Sequence, residues 1–149
     1  MSAFVTAGAG FLLAVLWFDL MFDVQARGHS GAELPEPALS SIAAYYARVT
    51  TAARPMNRLI AATMLATVAA IVVELVEGVG PSWAVWLSLG LAAAPIALAG
   101  SRTVPMAVRL GMRRDGAAAE SRMAGALLRQ HLFCLASIAG LLTLQLAAI

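Results

Sequence analysis

Four stretches of this sequence are apolar for the length needed to cross a bilayer, and that feature restricts the fold more than any other. A spanning helix takes about 20 mostly apolar residues at ~1.5 Å rise each. Residues 3–22, 56–76, 82–99 and 123–148 each reach that length. In hydrocarbon every backbone N–H and C=O needs an internal partner, so such runs fold as helices. The expectation is an all-α protein: a four-transmembrane-helix bundle, with residues 1–149 forming a single integral membrane domain. Composition agrees, because 61% hydrophobic residues and a mean hydropathy of +0.84 leave too little polar surface for a water-soluble fold of this size.

The first run reads as a retained helix, not a cleaved leader. No basic residue precedes Phe11, the apolar stretch continues to Phe18, and Asp19 and Asp23 follow where small residues would mark a cleavage site. The lone cysteine, Cys134, excludes an internal disulfide framework and a cysteine-rich metal centre, and reads as a small buried hydrophobe.

Connections between the runs are uneven. Gly78, Gly80 and Pro81 predict a tight turn, so the second and third helices form an antiparallel hairpin. After a polar stretch from Gly28 to Pro37, the residues Leu39, Ile42, Tyr46 and Val49 fall at helical spacing. They predict a short amphipathic helix in the membrane interface, with Tyr45 and Tyr46 at headgroup level. Pro105 is placed to start a second short helix, which Gly116 separates from an extension of the fourth span. Pro95 should kink the third span.

All ten basic residues are arginines, and every one flanks a long connection: Arg27, Arg48, Arg54 and Arg58 around the first, and Arg102, Arg109, Arg113, Arg114, Arg122 and Arg129 around the second. By the positive-inside rule both long loops face the cytoplasm and both termini face outward, in a multi-pass protein of the cell inner (plasma) membrane.

Ionisable residues at membrane depth are costly, at roughly 2.5–3.5 kcal/mol each at a helix centre, so their positions carry information. One group gathers at the cytoplasmic end: Asp19 and Asp23 closing the first span, Asn57 and Arg58 opening the second, Arg102 after the third, and Arg129 and His131 leading into the fourth. Asp19 and Asp23 are one turn apart and share a helix face. Two such carboxylates repel unless cations, a shared proton or a metal intervene. Two readings are open here: interhelical ion pairs that fix the bundle, or an acid–base site in which Asp19 and His131 are catalytic while Asp23, Asn57, Arg58, Arg102 and Arg129 bind substrate.

A second group, Glu74 and Glu77, lies at the outer end of the second span, where the helix macrodipole disfavours negative charge. Glu77 reads as a solvated helix end, and the deeper Glu74 is a candidate for a cavity or ion path. The pair lacks the histidine of the Glu-x-x-His motif, so a di-iron bundle centre is not expected. His29, in the glycine-rich loop, reads as solvated, leaving no second helical histidine for a bis-histidine haem. No metal site is expected and the sequence identifies no cofactor. Nor is there a phosphate loop, a dinucleotide fingerprint or a nucleophile elbow. The expected partners are the lipid bilayer, a lipophilic small molecule and a further copy of the chain in a homo-oligomer; none of the patterns points to nucleic acid.

Thr103-Val104-Pro105 with Arg109-Leu110 after the third span, and Arg129-Gln130-His131 leading into the fourth, give the chain a motif pattern that resembles the anthrone-oxygenase-like family of small four-helix membrane proteins. Ala107 stands where that pattern has asparagine, and Asp19 and Asp23 lie outside it. The resemblance implies a membrane enzyme that oxidises a lipophilic aromatic, with His131 as the residue carried over. Arg54, Asn57 and Arg58 alone do not make the second-helix signature of microsomal glutathione transferases. Two other classes of function fit the same residues: an oligomeric transporter or channel with Asp19 and Glu74 at opposite ends of a polar path, and an accessory or scaffolding subunit of a membrane complex.

Overall fold

The computed structural model describes residues 2–28 and 33–148, and among them every regular element is helical. Six α-helices follow one another: α1 Ser2–Asp23, α2 Glu36–Ala47, α3 Arg54–Glu77, α4 Ser82–Leu98, α5 Val104–Met112 and α6 Ala117–Ala148. Four segments are long and apolar enough to cross a membrane, Ser2–Ala26, Pro55–Glu77, Ser82–Met112 and Ala117–Ala147, so the chain is a small multi-pass membrane protein built as an all-α bundle. His29, read above as solvated, lies outside the described residues.

The long helices pack in a closed ring, α1 on α3, α3 on α4, α4 on α6 and α6 on α1. That is the up-and-down order short connections favour. Its tightest connection is the one the glycines predicted. α3 ends at Gly78 with φ 67°, Gly80 follows with φ 73°, and Pro81 leads into α4. Positive φ is strained for residues with a Cβ, which is why glycines occupy this turn.

Each helix turns one stripe inward at three- and four-residue steps, the spacing of helices packed at shallow angles. On α1 the stripe runs Val5, Ala9 and Leu12, and on α6 it runs Ala124, Leu127, His131, Cys134, Ile138 and Leu141. Val5, Leu12, Ile71, Val85, Ile138 and Leu141 meet in an apolar core at mid-bundle. The outer faces carry large apolar groups such as Leu65, Val76 and Trp86, suited to lipid contact. Because lipid is as apolar as the helix faces, close packing holds the bundle together. Gly8 shows this: a Cβ there would collide with Thr67 Oγ1 on α3, whose hydroxyl turns back to Thr63 O at 2.8 Å.

The two long connections depart from the sequence reading in informative ways. The third span does not stop at 99: α4, a π turn at Ala99–Thr103 and α5 form one run, Ser82–Met112. A second π turn, Arg48–Ala52, lies between α2 and α3. Each π turn comes just ahead of a proline, Pro105 or Pro55, that has no N–H for the regular helical bond. α6, by contrast, starts at Ala117, so the extension of the fourth span expected after Gly116 is continuous with it.

α2 buries Leu39, Ile42 and Tyr46, as the spacing predicted. It packs on α5, and the two share a second apolar core with Ala26, Leu34, Ala124 and Leu127. Their approach depends on Gly111, where an added Cβ would lie 2.7 Å from Ala47 N and 3.1 Å from Tyr46 C. Those neighbours are backbone, so no side chain can move aside. Arg113 fastens the layer, pairing with Glu36 of α2 at 3.0 Å and with the buried Glu120 of α6 at 2.9 Å.

Candidate functional site

At the arginine-bearing end, the inward stripe of α1 changes chemistry without changing spacing. After Leu12 the same face continues through Leu16 to Asp19 and Asp23, so the helix geometry that buries the core also buries two carboxylates. α6 brings His131 opposite them, and α2 closes the end with Tyr45 and Tyr46.

Asp23 is fully buried and has an acidic oxygen for each of two donors. Tyr46 O–H donates to Oδ1 at 2.6 Å, and His131 Nδ1–H donates to Oδ2 at 2.6 Å. With Asp23 ionised its oxygens only accept, so this bond then places a proton on Nδ1, and it fixes the ring orientation. The remaining nitrogen, Nε2, faces Asp19 Oδ2 across 3.9 Å. That separation is too long for a direct hydrogen bond. Asp19 takes its own donor from Tyr45 O–H, at 2.7 Å to Oδ1, and Tyr45 stacks on Phe22 with ring centroids 4.1 Å apart. The phenols of Tyr45 and Tyr46 are both pushed well above the ordinary value of 10.0, first by burial and then by the negative charge of Asp19 and Asp23 respectively. They therefore act as hydrogen-bond donors over the whole working pH range.

Of the residues singled out from sequence, Asp19, Asp23 and His131 come together in this cluster. Asn57 does not join it; its Nδ2 donates to Thr50 O at 3.1 Å and ties the start of α3 to the preceding π turn. Arg58, Arg102 and Arg129 are exposed and form no ion pair with the cluster among the described residues. The hydroxyls of Tyr45 and Tyr46, expected at headgroup level, turn toward α1 and onto Asp19 and Asp23. Their signal in the sequence was the helical spacing that makes Tyr46 a core position of α2. Among the described residues no group of three or more His, Cys, Asp and Glu is arranged to hold a metal ion.

A second polar cluster lies in the other half of the bundle, near the α3–α4 hairpin. Glu74, Ser88 and Gln145 are 0%, 0% and 3% exposed. Gln145 Nε2 donates to Glu74 Oε2 and to Ser88 Oγ, both at 3.2 Å. Glu74 Oε1 and Gln145 Oε1 have no hydrogen-bond partner. Only Glu74 was read from sequence as a candidate. Ser88 and Gln145 sit at stripe positions of α4 and α6, and that placement was the available signal. Glu77 is exposed, as a solvated helix end should be.

His131 and Gln145 are separated along α6 by roughly 21 Å at ~1.5 Å per residue. Between the two clusters most buried positions are apolar, Leu12, Ile71, Ile138 and Leu141 among them, with Thr67 and Ser137 as polar exceptions. Two cavities lie elsewhere: a groove of about 520 Å3 between α1 and α3, lined by Phe4, Gly8, Phe11, Thr63 and Thr67, and one of about 300 Å3 beside Glu36, Ser40, Gly111 and Arg113. Neither is lined by a residue of either polar cluster.

Comparison with protein-family models, with curated proteins and with solved structures finds no match to this chain.

Proposed function

We propose that the chain is a small membrane enzyme whose acid–base centre is His131, oriented by Asp23 and working with Asp19 on a lipophilic substrate that enters from the cytoplasmic leaflet. One observation carries the reading. His131 is held at Nδ1 by a buried carboxylate while Nε2 is left facing a second carboxylate across a 3.9 Å gap. An imidazole anchored in this way is suited to general acid–base work, because the buried carboxylate fixes the tautomer and stabilises the imidazolium that forms when Nε2 takes a proton. Asp19 retains 17% side-chain exposure, which leaves it open to an approaching molecule. The chemistry is proton transfer between Nε2 and an acidic O–H or C–H of the substrate. The resemblance to the anthrone-oxygenase-like family favours a lipophilic aromatic, and the exposed Arg58, Arg102 and Arg129 would draw an anionic group to the same end.

The test compares extracted lipids and lipophilic metabolites from cells expressing the wild type, His131→Gln, Asp19→Asn or an empty vector. A substrate–product pair that shifts with the wild type and with neither variant is the expected result. Profiles identical for wild type and vector, with the protein folded in the membrane, would sink the enzyme reading.

A specific observation favours one other reading. The cluster joins α1, α2 and α6, and every member is bonded to another member. A polar lock that seats the α2–α5 layer on the bundle would have this form, and it fits an accessory subunit. On that reading His131→Gln lowers stability and changes no metabolite.

A further inference from the structure

We propose that Glu74 and Gln145 hold one small monovalent cation, a proton or Na+, inside the hairpin-end half of the bundle. Two independent observations lead there. The first is geometric: two buried acceptor oxygens, Glu74 Oε1 and Gln145 Oε1, belong to groups that are hydrogen-bonded to each other through their other atoms, and neither has a donor. Buried acceptors without partners are rare, because each gives up its bond to water for nothing. Turning the Gln145 amide over does not help, since it would set Oε1 against Glu74 Oε2 in place of the donor that holds it now. What is missing is a positive species or a donor, and Glu74, Gln145 and Ser88 have no further donor to supply it except the Ser88 hydroxyl proton.

The second observation is charge balance. Glu74 is 0% exposed, and all ten arginines belong to the segments at the other end of the bundle. The elements packed around it bring no countercharge: α1 has no ionisable residue before Asp19, α4 has none, and α6 has none beyond His131 except Cys134. On α3 the nearest charge is Glu77, of the same sign and exposed to solvent. An unbalanced carboxylate at this depth is strongly disfavoured. A single monovalent cation corrects both faults. A proton on Glu74 Oε1 gives a donor for Gln145 Oε1, completing a reciprocal acid–amide pair. Na+ would instead be held by the two free oxygens, with Ser88 Oγ in reach of the same groups. The oxygen-only donor set suits a hard cation and excludes a thiolate-seeking one.

The experiment uses the full chain in detergent, with thermal unfolding followed in NaCl, KCl and choline chloride at equal ionic strength, and infrared spectra of the same samples. With Na+ as the ligand, the wild-type Tm rises by several degrees with NaCl over choline chloride, and Glu74→Gln abolishes the shift. With a proton as the ligand, Tm ignores the choice of salt, and the wild type shows a protonated-carboxyl C=O stretch that Glu74→Gln lacks. Glu74→Gln is expected to fold, because its new amide N–H donates to Gln145 Oε1 without any cation. If that variant fails to accumulate, Gln145→Leu serves: removing one oxygen weakens the Na+ shift or moves the carboxyl band. A wild type with neither a cation-dependent Tm nor a carboxyl band that responds to these substitutions overturns the proposal.

Discussion

The two ends of this bundle bury carboxylates in the same way and complete them differently. Both sets of acids sit on the inward stripes that elsewhere carry leucine and isoleucine. At the arginine-bearing end Asp23 meets two donors, Asp19 meets one, and an additional helix, α2, is folded over the end to supply the phenols. At the hairpin end there is no additional helix, and Glu74 and Gln145 share one hydrogen bond and keep two bare oxygens. The difference shows that burial of a carboxylate alone does not define its role. What matters is whether the protein itself supplies the partners. Where it does, the cluster is a fixed network; where it does not, the site is open to a small cation.

The contrast becomes sharpest when the same chemical change, carboxylate to amide, is made at both ends. Asp23→Asn replaces a charged acceptor with an N–H, so His131 keeps its bond only by moving its proton from Nδ1 to Nε2 and loses its countercharge. About 1.5–3 kcal/mol of stability should be lost, as for a hydrogen bond to a charged group. Reversible unfolding in mixed micelles measures it, and a loss below ~1 kcal/mol would show that the network adds little. Gly111→Ala comes next. Its Cβ must push the α2 backbone away, at a cost of about 1–3 kcal/mol, and Tyr46 leaves Asp23 as α2 moves.

Ultraviolet titration reads that displacement directly, because Tyr45 and Tyr46 are the only tyrosines in the chain. In the wild type neither phenol should ionise near 10.0, the ordinary value. In Gly111→Ala one should. The sign for stability follows from the raised folded-state values. The contribution of the phenols is complete below the unfolded value of about 10 and declines as the pH rises beyond it, since the unfolded chain releases those protons first. Asp19→Asn should cost less than Asp23→Asn, about 1 kcal/mol, because Asp19 is partly exposed and its contact with Nε2 is long. At the other end Glu74→Gln should cost nothing and gain up to about 1 kcal/mol, since it adds the missing donor. A clear loss there would erase the distinction between the two ends.

Much of the architecture was legible in the sequence because apolar length acts locally. Residues 3–22 and α1, or 56–76 and α3, differ only at their ends. The hairpin was legible because Gly78 and Gly80 are needed where φ is positive. The run from Ser82 through α5 was not, since the π turn that carries the helix past Arg102 leaves no compositional mark. At the candidate site Asp19, Asp23 and His131 stood out as ionisable residues at membrane depth. Tyr45 and Tyr46 did not, because where a short helix turns its phenols depends on what it packs against, and α5, which meets α2 at Gly111, lies far away in sequence. Gln145 and Ser88 were hidden for a related reason: a single polar residue in an apolar helix shows its role only when the opposite stripe is known.

The most direct test of the proton-handling role is the protonation of the two ring nitrogens of His131, read by 15N NMR on histidine-labelled protein from mildly acidic to mildly alkaline pH, with His131→Gln used to assign the signals. The expected result is that Nδ1 keeps its proton throughout, held by Asp23, and that Nε2 alone gains and loses one. A proton that leaves Nδ1, or an Nε2 that never exchanges its state, would contradict the assignment of Nε2 as the working atom.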